Sequence, residues 1–303
     1  MPLLRKPVWS GDSLPSQAGR RFVVTGATGG LGLEMTRALA AAGAHVVLGV
    51  RNVEAGREAA ERVRRTGASG SLEVRRIDLS DIASVGAFAA GIREVDVLIN
   101  NAGVMAIPQA RSIDGFEMQL ATNHLGPFAL TNLLLPRLGD RVVMVGSAAH
   151  WQGRLDPADL HLERGYRPYA GYAQSKQANL LFMGELQRRL EAVGSTLRSV
   201  GGHPGYAATG ITGGTGSKAF TSLGRAGNAL VGQRPWRGAL PILYAATADV
   251  PGDSYFGPHG PGGFFGLPAP APRSRRASDP EVARALWEAS EAMTGVEFPL
   301  VSR

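Results

Sequence analysis

Cysteine is absent from all 303 residues. That excludes a disulfide framework, a thiolate nucleophile and any cysteine-ligated metal site. It also suits a reducing compartment. Long apolar runs are missing too. No stretch reaches the about 18 residues that a spanning helix needs, and the opening MPLLRKPVWSG lacks the apolar core of a secretory signal. A cytoplasmic location is the expectation. Lysine is scarce: only Lys6, Lys176 and Lys218 among 32 basic residues. The net charge of +7 is therefore carried by arginine, spread as pairs such as Arg20-Arg21, Arg64-Arg65, Arg75-Arg76 and Arg188-Arg189. The densest group, Arg273, Arg275 and Arg276, lies in a Pro-rich loop. No basic stripe marks one helix face, so a nucleic-acid partner is not expected. The six histidines show no H-E-x-x-H spacing, and no metal is expected.

What is present is regular alternation. β-branched runs at 21–26, 45–50, 72–79, 95–103, 141–147 and 196–202 read as strands. Between and after them lie helical stretches at 31–43, 53–67, 81–90, 115–138, 172–191, 236–248 and 278–295. Gly126-Pro127 marks a bend or break in the fourth helix. Strict alternation predicts an α/β fold: a single Rossmann-type, doubly wound parallel sheet with helices on both faces. Residues 1–19 read as an extended N-terminal arm and 20–303 as one dinucleotide-binding and catalytic domain, with a Gly-rich substrate loop at about 210–235.

TGATGGLG (25–32) joins the first strand to the first helix. Gly26, Gly30 and Gly32, with Thr28 and Leu31 among them, would let backbone N–H groups and a helix N-terminus approach a pyrophosphate. The second strand ends in Val50, Arg51 and Asn52, with no carboxylate for a ribose 2′-hydroxyl. Arg51 instead suits a 2′-phosphate, so the expected cofactor is NADP(H).

In GYAQSKQANLL, Tyr172 stands four residues before Lys176, one helical turn away. A phenol of pKa about 10 is a weak general base at neutral pH. A neighbouring ammonium is expected to lower that value and let Tyr172 exchange a proton with an alcohol or carbonyl oxygen. Tyr166 and Tyr169 have no lysine at that spacing.

TGATGGLG, NNAG (100–103), VVMVGSAAH (142–150), YAQSK (172–176) and HPG (203–205) occur in this order. Together they resemble the short-chain dehydrogenase/reductase family over nearly the whole chain. VVLGVRN, TNHLGPFALT and the long segment between Ser147 and Tyr172 are most similar to its retinol-dehydrogenase-like branch. The resemblance implies an oxidoreductase that passes hydride between a nicotinamide and a carbonyl or alcohol carbon. It implies that Ser147 holds the substrate oxygen, that Tyr172 exchanges the proton, and that Lys176 and Asn123 support the relay, with Tyr172 and Lys176 also contacting the cofactor, Lys176 at the nicotinamide ribose. The family often has a serine just before Ser147, where this chain has Gly146.

For the cofactor, the resemblance implies contacts from Asp78 and Leu79 near the adenine and from Asn100, Ala102 and Gly103 near its ribose. Pro204, Gly205 and Thr209 would receive the nicotinamide end. A helix cap competes as the role of Asp78, and steadying of the sheet as the role of Asn100. Met105, Ile107, Trp151 and Phe220 are candidate apolar walls for a lipophilic small-molecule substrate. His203 reads as structural rather than acid/base. A Ser147–His150 hydrolase is disfavoured because no G-x-S-x-G elbow surrounds the serine. The family implies a homodimer or homotetramer. The rival expectation is a non-catalytic NADP-binding redox sensor.

Overall fold

A computed structural model of the chain describes residues 14–205 and 234–299. Within them lie β1 (Arg21–Thr25), α1 (Gly30–Ala41), β2 (His45–Val50), α2 (Val53–Arg64), β3 (Ser71–Arg76), α3 (Ile82–Gly91) and β4 (Val95–Asn100). Then come α4 (Met118–Leu120), a π-helical turn (Ala121–Leu125), α5 (Gly126–Leu134), β5 (Leu138–Val145), α6 (Pro168–Ala192) and β6 (Arg198–Gly202). The last described elements are α7 (Pro235–Thr247), β7 (Tyr255–Pro258), β8 (Pro268–Pro270) and α8 (Pro280–Thr294).

One sheet runs β3-β2-β1-β4-β5-β6-β7-β8. All neighbours pair parallel except β7 and β8. The chain reverses its direction of travel between β1 and β4, and open α/β sheets bind ligands at the carboxyl ends of strands beside such a switch. The apolar strands are covered on both faces, as parallel sheets require. Val23, Leu98, Val142 and Met144 face one core with α3, α5 and α6. Phe22, Val24, Ile99, Val143 and Val145 face the other with α1 and α7.

The expected doubly wound sheet is therefore present, with differences at its ends. The third, fourth and fifth strands stop three residues short, three short and two short of the expected ends, at Arg76, Asn100 and Val145. Asp78, Leu79, Ala102, Gly103 and Ser147 thus lie in the loops beyond the strands, where ligands are met. Strands β7 and β8 were not expected from the sequence; both are short and rich in Gly and Pro. The stretch expected as a helix over 115–138 is split. Pro127 has no N–H for the carbonyl of Asn123 four residues back, and a π turn, with Gly126 N–H donating to Ala121 O, takes up the mismatch. Gly126 is needed there, since an added Cβ would lie 2.2 Å from the carbonyl oxygen of Leu79.

The C-terminal helix forms as its sequence predicts. Asp279 caps it through Glu281 and Val282 N–H groups, Pro280 opens it, and Gly295 closes it at φ 65. Its buried Trp287 packs against Phe128 of α5 and Phe182 of α6, at centroid distances of 4.9 and 5.5 Å. Each such aromatic pair contributes about 0.5–1.5 kcal/mol beyond area burial. The helix thereby braces α6, which bears Tyr172 and Lys176.

Candidate active site

The turn after β1 is closed by backbone. Gly26 N–H donates to Gly49 O at 2.8 Å, and Gly26 and Gly30 sit at φ 69 and 53. A Cβ on Gly26 would lie 2.9 Å from Ala102 Cα, and one on Gly32 would lie 2.3 Å from Gly26 O. Both positions admit only glycine without a shift of main chain. The first turn of α1 has no side-chain cap and no acidic residue, whereas Asn52, Asp81 and Asp279 cap α2, α3 and α8. A main-chain cradle that leads into an uncapped helix N-terminus fits a pyrophosphate. Thr28 is half-buried in this turn, and its carbonyl accepts from Arg62 Nη2 at 3.0 Å. Leu31 points into the core, which leaves its main chain to the turn.

Two residues that were not singled out from the sequence hold this cradle. Thr25 Oγ1 accepts from Asn101 N and Ala102 N, each at 3.0 Å, and Asn101 Nδ2 donates to Thr25 O at 2.7 Å. The doubled asparagine of NNAG was the available signal. Its first member turns inward instead: Asn100 Nδ2 donates to Thr131 Oγ1 at 3.0 Å.

Arg51 is exposed at the end of β2 and has no ion-pair partner among the described residues. Arg76, also exposed, ends β3 beside it, Val50 and Arg76 being register partners. Arg76 was not singled out from the sequence; the alignment of two strand ends is visible only in the fold. Asn52 Oδ1 accepts from Ala55 N at 3.0 Å, so its side chain is the cap of α2. Asp78 is half-buried, and its Oδ1 accepts from Ser80 N and Ser80 Oγ. The cap of α3 is Asp81, not Asp78. Leu79 is a core side chain.

Beyond β5, Ser147 is half-buried at the start of a 3₁₀ turn. Its Oγ accepts from Ala149 N at 3.2 Å, and its hydroxyl stands near enough to the Tyr172 phenol to favour the phenolate. Burial outweighs that effect, and with the neighbouring Tyr169 it pushes Tyr172 up to about 12. Lys176 Nζ donates to Val145 O at 3.0 Å and stands 5.9 Å from the Tyr172 ring centroid. Burial lowers its pKa to about 8. The expectation that Lys176 holds the phenol below its usual value is thus corrected. Desolvation dominates both groups, and the serine supplies the opposing pull on Tyr172.

Asn123 lies in the π turn. Its Oδ1 accepts from Val104 N at 2.8 Å, and its Nδ2 donates to Val104 O and Ser175 Oγ, each at 2.9 Å. Ser175 Oγ in turn donates to Tyr172 O at 2.8 Å. The asparagine therefore ties the loop after β4 to the first turns of α6. A Cβ on Gly103 would lie 3.0 Å from Asn123 Oδ1 and 3.8 Å from Lys176 Nζ, so Gly103, Asn123 and Lys176 share one wall. Met105 packs on Ala149, Tyr172 and Ala173, as expected of an apolar wall. Ile107 is half-buried, and its carbonyl accepts from Tyr166 Oη at 3.0 Å. Trp151 is 51% exposed. A Glu117–Tyr166–Gln119 network, not anticipated from the sequence, holds the main chain of Ala106 and Ile107 beside this wall. Gln119 Oε1 accepts from Ala106 N at 2.7 Å, and Gln119 Nε2 donates to Tyr166 Oη at 2.7 Å.

Gly146 has its own explanation: a Cβ there would lie 2.3 Å from the Tyr255 hydroxyl oxygen. His150 contacts the Ser147 main-chain carbonyl rather than its hydroxyl, an arrangement unlike a Ser–His nucleophile pair. Gly205 adopts φ 66, and a Cβ there would lie 2.4 Å from Phe264 O; Pro204 precedes it in the same turn. Thr209, Phe220 and all but the end of the expected substrate loop at 210–235 lie outside the described residues. Among the described residues no cluster of metal-binding side chains occurs, and no helix is long and apolar enough to cross a membrane.

A family model described as short chain dehydrogenase matches residues 20–219. Human retinol dehydrogenase 13 is 40% identical over 99% of this chain and 92% of its own length. The crystal structure of an uncharacterized protein from Mycobacterium paratuberculosis is similar at 49% identity and a TM-score of 0.83, covering 96% of this chain and 99% of that one. The active-site complex of Pseudomonas aeruginosa RhlG with NADP is similar at 27% identity and a TM-score of 0.58, covering 79% of this chain and 94% of that one.

Proposed function

The chain belongs to the short-chain dehydrogenase family, in its retinol-dehydrogenase-like branch, and acts as an oxidoreductase on alcohol and carbonyl groups; from that premise we propose that it uses NADP(H), with Tyr172 as the general acid/base, on a lipophilic small molecule. The observation that carries this reading is the placing of the buried Tyr172 phenol near Ser147, with Lys176 Nζ 5.9 Å from its ring centroid and Met105 packed on it. A lipophilic substrate is supported by that apolar wall and by the name of the human relative, a retinol dehydrogenase.

The residues divide the work. Gly26, Thr28, Gly30, Leu31 and Gly32 offer main-chain donors to the pyrophosphate, with Asn101 and Thr25 holding the turn. Arg51, joined by Arg76, takes a 2′-phosphate through charge-assisted hydrogen bonds. The main chain around Asn52, Asp78, Leu79, Asn100, Ala102 and Gly103 borders the adenosine, and Pro204, Gly205 and Thr209 border the nicotinamide. When bound, the nicotinamide supplies or accepts hydride at the substrate carbon. Ser147 orients the substrate oxygen. Tyr172 donates a proton to that oxygen in reduction and takes one in oxidation. Its burial keeps it a neutral donor at neutral pH, which suits carbonyl reduction. Lys176 steadies a negative charge that develops on the phenol, and Asn123 holds the loop and helix that carry the relay.

We place the boundary of the catalytic domain at residue 20, the arm at 1–19 and the substrate loop at about 210–235. We extend the reading to a cytoplasmic homodimer or homotetramer, which light scattering would check. Since α8 covers one side of α6, the shared surface would lie away from Trp287. The central test is turnover of a panel of lipophilic aldehydes and ketones with NADPH. Tyr172→Phe is expected to lower kcat by about a hundredfold or more, as for loss of a general acid. An undiminished rate would refute the assignment.

A further inference from the structure

Two buried histidines take no part in that relay, and each holds one backbone edge of the site. His150 Nδ1 lies 2.6 Å from Ser147 O, while His150 Nε2 accepts from Ser274 N at 3.3 Å. The same serine carbonyl also accepts from His150 N at 3.1 Å. A backbone N–H can only donate, and a neutral imidazole carries one donor and one acceptor. Nε2 of His150 is therefore the acceptor, and Nδ1 carries the hydrogen and donates to Ser147 O. His203 is arranged the other way round. Its Nδ1 accepts from Gly205 N at 3.2 Å, which leaves the hydrogen on Nε2. Its own N–H donates to Phe256 O at 2.9 Å.

The two rings meet across Tyr255. Its centroid lies 6.3 Å from His150 and 5.5 Å from His203. A Cβ on Gly257 would lie 2.0 Å from His203 Nε2, so β7 admits that ring only because it carries glycine there. Burial lowers both histidines below their ordinary range, His203 to about 4. Both are neutral at pH 7, as their acceptor bonds require.

We infer that His150 and His203 are paired positioning residues locked in opposite tautomers, His150 for the Ser147 turn and His203 for the Pro204–Gly205 turn. The pair sets the spacing between the serine that orients the substrate oxygen and the turn that borders the nicotinamide. This rests on the roles proposed above for Ser147 and Gly205. It goes beyond them in giving each turn its own support and in separating what the two supports control.

Long-range ¹H–¹⁵N correlation of the histidine rings tests the geometry directly, with signals assigned through His150→Asn and His203→Asn. Hydrogen on Nδ1 of His150 and on Nε2 of His203 is expected at pH 7. The same tautomer on both, or a charged ring, would overturn the inference. Calorimetry and kinetics test the division of labour. His203→Phe should weaken NADPH affinity about threefold to tenfold, the range of one hydrogen bond. His203→Asn keeps an acceptor near Nδ1 and should recover most of that loss. His150→Phe should lower kcat by a similar factor with NADPH affinity within about twofold, and His150→Asn, which keeps a donor to Ser147 O, should again recover. Both Phe variants shifting the same parameter, or Asn serving no better than Phe, would contradict the pairing. Should the Phe variants fail to fold, the tautomers of the wild type decide. A wild type that binds no dinucleotide would defeat the functional reading instead, while the tautomers still judge the pair.

Discussion

Around β1 and β2 the chain offers a ligand its backbone; around β5 and α6 it offers side chains. The first region consists of glycines at positive φ, an uncapped helix N-terminus and two exposed arginines at adjacent strand ends that have no ion-pair partner among the described residues. The second consists of a phenol and an ammonium, both buried and both shifted toward their neutral forms. The difference follows from the tasks proposed for them. A pyrophosphate needs many fixed donors and a positive field, which main chain supplies at little desolvation cost. Proton exchange needs groups poised by their surroundings, and burial is the strongest means of poising them.

If that contrast is right, damage to one region should leave the other intact. The largest effect belongs to the side-chain region. Ser147→Ala and Tyr172→Phe are each expected to lower kcat about a hundredfold or more. The double variant should be little worse than either, because residues that act as a unit are not additive. NADPH affinity should hardly move in any of the three. Multiplied losses in the double variant would separate the serine from the tyrosine. Next comes Gly32→Ala, whose Cβ would meet Gly26 O at 2.3 Å. Overpacking of this kind costs about 1–3 kcal/mol, and calorimetry should show NADPH affinity reduced about tenfold or more. Unchanged affinity would remove the cradle from the account. Arg51→Ala should cost about tenfold of any preference for NADPH over NADH, the worth of one charge-assisted contact, with no change in kcat.

The smallest effect is a pH dependence of stability over the range in which Lys176 titrates. Lys176 has a folded pKa of about 8 against an ordinary value of 10.5. Below about pH 8 the folded protein bears the cost of burying its charge. As pH rises from 8 toward 10.5 the unfolded chain holds more protons than the folded one, so stability rises with pH. Chemical denaturation should show a gain of about 1 kcal/mol between pH 8 and 9, lost in Lys176→Met. The range should end below pH 10, where the raised pKa of Tyr172 pulls the other way. An equal slope in the variant would assign it to other groups.

The two regions also differ in how far the sequence disclosed them. Gly26, Gly30 and Gly32 are legible because a backbone demand leaves a spacing in the chain, and Arg51 because a strand end is a short distance from a recognisable strand. The alternation of elements predicted the sheet, but β7 and β8 have too few residues and too much Gly and Pro for any periodicity to register. Tyr172 and Lys176 were visible as an i,i+4 pair. The sign of the tyrosine's shift was not, because desolvation depends on everything packed around it. Asn101, Arg76, His150, Gln119 and Tyr166 act through partners 13 to 124 residues away or through strand register. No local pattern marks such partnerships. Gly146 was seen as a departure from the family, and only the fold supplies its reason, the Tyr255 hydroxyl.

The most direct test of the account is the affinity of the wild-type protein for NADPH and NADH, by calorimetry at one fixed ionic strength. An exposed arginine at the end of β2 with no competing carboxylate leads us to expect a preference for NADPH of about tenfold or more. Equal or tighter binding of NADH would contradict the role of Arg51, and binding of neither would contradict the dinucleotide site itself.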